Sequence, residues 1–83
     1  MIRKAISPEN LGSVLREARK QKGLNQTATG KLVGIDQPTV SKVEQGSGGT
    51  QLGTLFRLLA ALELEMVIQP RSKTDVKNDG DKW

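Results

Sequence analysis

Between Gly34 and Gly46 the sequence runs GIDQPTVSKVEQG, which reads as one short helix between two glycines. Val40 and Val43, three residues apart, take its inner face and leave Gln37, Pro38, Ser41 and Lys42 on the other. Amide, hydroxyl and ammonium groups make hydrogen bonds and ionic contacts; alone they do not break covalent bonds. The rest of the chain does not change that picture. It has no Cys and no His, which excludes disulfides, the usual zinc sites and any Ser/His or Cys/His nucleophile pair. The run Gly46-Ser47-Gly48-Gly49 lacks the Gly-Lys-Ser/Thr that follows in a phosphate-binding loop. No convergent acid, base or metal set can be found, so the expectation is a binding protein with no cofactor and no metal, not an enzyme.

Positioning that helix requires other helices around it. Ser7 caps and Pro8 opens a first one to about Lys22, with Leu11, Val14, Leu15 and Ala18 on one face. Gly23 stops it, and Asn25 caps a second from Gln26 to Val33, with Thr29, Gly30, Leu32 and Val33 expected inward. Asp36 caps the third, from Gln37 to about Gln45, and Pro38 is tolerated in its first turn. Thr50 is expected to cap a fourth whose stripe of Leu52, Leu55, Phe56, Leu59 and Leu62 reads as core.

After Leu62 the period changes to two: Leu64, Met66 and Ile68 alternate with Glu63, Glu65 and Val67. This is the pattern of a strand over about 63–69 with one wet face, closed by Pro70; a fifth helix is the competing reading. A lone strand leaves its backbone groups unpaired, so the economical partner is the same strand of a second copy. Residues 1–69 thus form one binding and dimerisation domain. Residues 70–83 are polar and charged until Trp83 and read as a flexible tail. Trp83 is either an anchor for a partner's pocket or an end of no consequence.

The 83 residues carry 35% apolar and 2% aromatic side chains, so the core must be aliphatic and small. Formal net charge is +4, and its excess lies in residues 1–46, where eight Lys/Arg face four Asp/Glu. Such a surface suits a polyanion, or is simply a solvated lysine-rich face. No run approaches the roughly twenty apolar residues of a membrane span, and MIRKAISPEN lacks a signal-peptide core, so a cytoplasmic protein is expected.

Gln26, the small Gly30 four residues on, the turn glycine Gly34, then Ile35, Val40 and Val43 form a pattern covering about residues 11–62. It resembles the helix-turn-helix of the Cro and phage-repressor (XRE) family, which implies an all-α, four-helix, lambda-repressor-like fold. With Ile35, Val40 and Val43 inward, the resemblance implies that Gln37, Pro38, Ser41 and Lys42 enter a DNA major groove. Gln37 can pair with adenine N6 and N7, Pro38 can touch a thymine methyl, and Lys42 reaches either a base or a phosphate. The same likeness places Asn25 and Gln26 beside the phosphate backbone, with Thr39, Gln45 and Thr50 as weaker phosphate candidates. Arg19 and Glu44 resemble a structural ion pair of several such repressors. Thr29 departs from the pattern, which usually has Leu there.

The strand LELEMVIQP, the short polar tail and the terminal Trp together resemble the HipB-like antitoxins. That resemblance implies a homodimer joined through Leu64, Met66 and Ile68, binding palindromic double-stranded operator DNA in the bacterial nucleoid. It also implies autorepression and a partner, a HipA-like serine/threonine kinase toxin, with the tail open to proteases and Trp83 toward the toxin. Two other readings stay open: a stand-alone phage-type or metabolic repressor without a toxin, and a protein-binding adaptor that uses this fold without DNA.

Overall fold

In the computed structural model, residues 2–71 are described, and they form four helices in the order α1 (Pro8–Gln21), α2 (Gln26–Val33), α3 (Gln37–Glu44) and α4 (Leu52–Ala61). The fold is all-α, as the periodicities predict. Three of the helix starts are built from side-chain caps: Ser7 accepts from the Asn10 N–H, Asn25 from Ala28 and Asp36 from Thr39. Pro8 and Pro38 each occupy a first turn, where the missing N–H costs nothing.

The core gathers aliphatic residues from the helices and their turns: Leu15, Ala18, Ile35, Val40, Val43, Leu55, Leu58, Leu59 and Leu62. Full burial of each Leu or Val contributes about 1.5–3 kcal/mol before the ordering of the chain is set against it. Thr29 joins this interior at 1% exposure, and its hydroxyl is satisfied by donating 3.0 Å to the Asn25 carbonyl. That bond explains how a polar residue takes a core position in α2.

Two close approaches fix α3. A Cβ on Gly12 of α1 would lie 2.5 Å from the Glu44 carbonyl oxygen and 2.7 Å from that of Val43, so α1 and α3 meet backbone to backbone. A Cβ on Gly30 would run into the Ile35 carbonyl, which brings α2 against the turn. Gly34 makes that turn at φ 72°, in the left-handed region where a side chain is penalised. Arg57 of α4 clasps it by donating 3.0 Å to the Val33 carbonyl.

Several expectations need correction. Thr50 is not the cap of α4: its hydroxyl donates to the Ser47 carbonyl, and Gln51 occupies the cap position without a side-chain bond. Leu32, Leu52 and Phe56 are exposed at 62%, 68% and 50%, because α4 turns Leu55, Leu58 and Leu59 into the core instead. Glu63 does not begin a strand. It takes φ 58°, and the Glu63 and Leu64 N–H groups bond back to Ala60 and Leu59, closing α4 with a left-handed cap. Among the described residues no strand is formed within the single chain; residues 65–71 run on from that cap without backbone hydrogen bonds to it. A ladder needs a second strand, and one chain does not supply it. Trp83 lies outside the described residues. Among those residues no helix is long and apolar enough to cross a membrane.

Candidate nucleic-acid interface

The exposed side of α3 carries the residues singled out by pattern. Gln37, Pro38, Lys42 and Gln45 are exposed, while Thr39 and Ser41 are half-buried. Val40 and Val43 hold the opposite side in the core at 1% and 5% exposure, which fixes the roll of the helix. Because the buried positions are only three apart, the outward face is wide for eight residues.

Behind that face runs a chain of hydrogen bonds. Arg19 of α1 grips Glu44 at the end of α3 in a fork, Nε to Oε2 at 2.6 Å and Nη2 to Oε1 at 3.0 Å, and its Nη1 donates to the Leu24 carbonyl at 2.9 Å. The side chains of this ion pair are 10% and 5% exposed, so solvent screens it little. Gln26, the first residue of α2, donates its Nε2 to Glu44 Oε1 at 3.0 Å and accepts at Oε1 from Gln37 Nε2 at 2.7 Å. Gln37 is thereby tied through two intermediates to a buried guanidinium. Burial pushes the Glu44 carboxyl up, but the bonds from Arg19 and Gln26 and the Arg19 charge outweigh it and hold the group below the usual glutamate range. The Arg19 proton is held more firmly, first through its bond to Glu44 and against the burial that opposes it.

The remaining candidates are spread around this centre. Asn25 spends its Oδ1 on the Ala28 N–H at 2.7 Å, which leaves its amide nitrogen outward. Gln26 faces Glu44 and Gln37 more than it faces solvent, so its position is that of a bridge between helices. Gln45 donates to the Ser41 hydroxyl at 3.1 Å, pairing those two side chains one turn beyond Gln37. Asp36 caps α3, and hydrogen bonds from Thr39, first from its hydroxyl, hold the Asp36 carboxyl below its ordinary range.

A shallow depression of about 290 Å³ adjoins Lys42, lined also by Thr39, Ser47, Thr50, Gln51 and Thr54. Pattern reading missed Ser47, Gln51 and Thr54. The signal was present, since Gln is a poor cap and leaves the first N–H groups of α4 without a side-chain acceptor, beside a lysine. That arrangement of N–H groups, hydroxyls and an ammonium suits an oxyanion such as a backbone phosphate. Among the described residues no cluster of His, Cys, Asp or Glu that could hold a metal is present.

A two-helix unit joined by a glycine turn, with its second helix exposed and braced from α1, defines a class. The chain belongs to the helix-turn-helix family, whose pattern it matches over residues 15–68. Within that family it is similar to antitoxin HipB of two Escherichia coli strains, 37% identical over 65 residues, which is 78% of this chain and 69% or 74% of the relative. Among solved structures it is similar to a HipB-O4 20mer complex and to a HipA-HipB-O2-O3 complex, each with TM-score 0.80 and 34% identity. Each match covers 86% of this chain and 100% of the other.

Proposed function

We propose that the chain is a HipB-like antitoxin that binds palindromic operator DNA as a homodimer, represses its own operon and pairs with a HipA-like serine/threonine kinase toxin. The observation that carries the DNA reading is Gln37, exposed at the start of α3 and held by Gln26, Glu44 and Arg19. A base reader must be both free to reach a groove and fixed in place, and Gln37 meets both conditions. Pro38, Ser41 and Lys42 complete the reading set. Asn25, Gln26, Thr39, Gln45 and Thr50 grip the sugar-phosphate chain, helped by the first turn of α4.

Dimerisation follows from what one chain leaves uncovered. Met66, Val67 and Ile68 are exposed and apolar in a segment without backbone partners, and Leu64 is half-buried at its root. Leu64, Met66 and Ile68 pair with the same residues of a second copy. The pairing sets two α3 helices to read half-sites about one helical turn, roughly 34 Å, apart or a multiple of that. The similarity to antitoxin HipB, and to a structure in which HipB is in complex with HipA, supports the toxin partner.

The test is a titration of the dimer against operator and unrelated duplexes. Gln37→Ala weakens operator binding by about 1–3 kcal/mol and leaves unrelated duplex nearly unchanged. Equal losses on both would remove Gln37 from the reading set.

A further inference from the structure

The bridge behind Gln37 has a direction as well as a shape. An ionised carboxylate only accepts hydrogen bonds and a guanidinium only donates them. Glu44 therefore takes two bonds from Arg19 and can receive Gln26 only through its amide nitrogen, at 3.0 Å. That choice turns the Gln26 oxygen outward. An amide oxygen cannot donate, so Gln37 must spend one Nε2 hydrogen on it, at 2.7 Å. What Gln37 then presents to solvent is one remaining N–H beside an unencumbered Oε1.

We infer that Glu44 is a positioning residue for specificity: through Gln26 it fixes the hydrogen-bond polarity with which Gln37 meets a base. The inference rests on the proposed reading of DNA by Gln37. Adenine offers N7 as an acceptor and N6 as a donor, which matches one N–H and one oxygen. Guanine offers two acceptors, N7 and O6, and would require both hydrogens of an amide that has already committed one. A glutamine free to turn over has no such restriction. The chain of four side chains thus converts a buried ion pair into a preference for adenine over guanine, without Arg19 or Glu44 touching the DNA.

Two substitutions open the relay at different links. Glu44→Gln puts an amide where only an acceptor stood, so Gln26 can be met from either side. Gln26→Met keeps the length of the side chain and leaves the Arg19–Glu44 pair intact, but cannot accept from Gln37. The experiment uses the full-length protein and fluorescence anisotropy competition between duplexes bearing adenine or guanine at the base pair whose discrimination Gln37→Ala removes. The unsubstituted protein should prefer adenine by about 5- to 150-fold. Both relay variants should bring that ratio several-fold closer to one while Gln37 is still present. A helix that was merely loosened would bind both duplexes less well and keep the ratio. If both variants retain the original ratio while Gln37→Ala abolishes it, the relay is overturned and the base-reading role stands. If Gln37→Ala changes discrimination at no base pair, the reading itself falls and the relay with it. In the free protein, the side-chain amide resonances of Gln37 should shift in Gln26→Met; unchanged resonances would also count against the relay.

Discussion

Replacing Gly12 with Ala tests how the α3 helix is held. In an isolated helix the change favours folding, by about 1 kcal/mol, because Ala loses less conformational freedom. Here the added methyl would stand 2.5 Å from the Glu44 carbonyl oxygen, whereas ordinary contact begins at 3.4 Å, so the two helices must part by about 0.9 Å. The obstacle is backbone, and no rotamer change relieves it. Opening a packed seam by that amount forfeits roughly a quarter to a half of the dispersion attraction across it. Overpacking of this kind costs about 1–3 kcal/mol, occasionally more, and a backbone obstacle belongs at the upper end or beyond. The net expectation is a loss of about 2 kcal/mol, which lowers Tm by on the order of 10 °C in a domain this small. The assay is thermal and urea unfolding at one fixed protomer concentration, since dimerisation makes Tm concentration-dependent. Operator affinity should fall as well, because the same displacement moves Glu44 and the end of α3. A Tm equal to or above that of the unsubstituted protein would refute the claim that α1 and α3 touch backbone to backbone.

Acid should weaken the fold through Glu44. Its folded carboxyl sits below the usual range, so the unfolded chain binds more protons at low pH; the stabilisation is complete above the ordinary glutamate range and is lost as pH falls through the lower, folded one. Arg19→Met should flatten that dependence in urea titrations from pH 7 to pH 3, and an unaltered slope would assign it to other carboxylates. Met66→Asp should yield monomers at micromolar concentration in sedimentation, because it places a charge in the proposed strand pairing; an intact dimer would put the interface elsewhere. Removing Trp83 should weaken capture of a HipA-like kinase and leave operator affinity unchanged. Unaltered kinase affinity would dismiss Trp83 as an anchor.

The local parts of this fold were legible because they depend on neighbours in sequence. Asn25, Gln26 and Gly34 delimit α2, and Asp36 and Gln37 open α3, where caps and a turn glycine predict them. Periodicity was less informative about which side of a stripe finds a partner. Leu52 and Phe56 share a face with Leu55 and Leu59 in one dimension, yet only the latter two are covered. Thr50 was a reasonable cap by residue type, but the Ser47 carbonyl competes for its hydroxyl and leaves Gln51 at the cap position. The bridge from Glu44 through Gln26 to Gln37 spans 18 and then 11 positions, and no local rule links them. Gly12 was silent for the same reason: its meaning lies in a carbonyl on another helix.

Whether α3 reads DNA is tested by selection of duplexes from a random pool by the full-length protein, followed by salt titration of the winners. The expected result is an enriched inverted repeat with half-site centres about one turn apart or a multiple of that, and an affinity that falls steeply and log-linearly with salt as phosphate contacts release counterions. A pool without sequence enrichment, bound weakly and with no salt dependence, would contradict it.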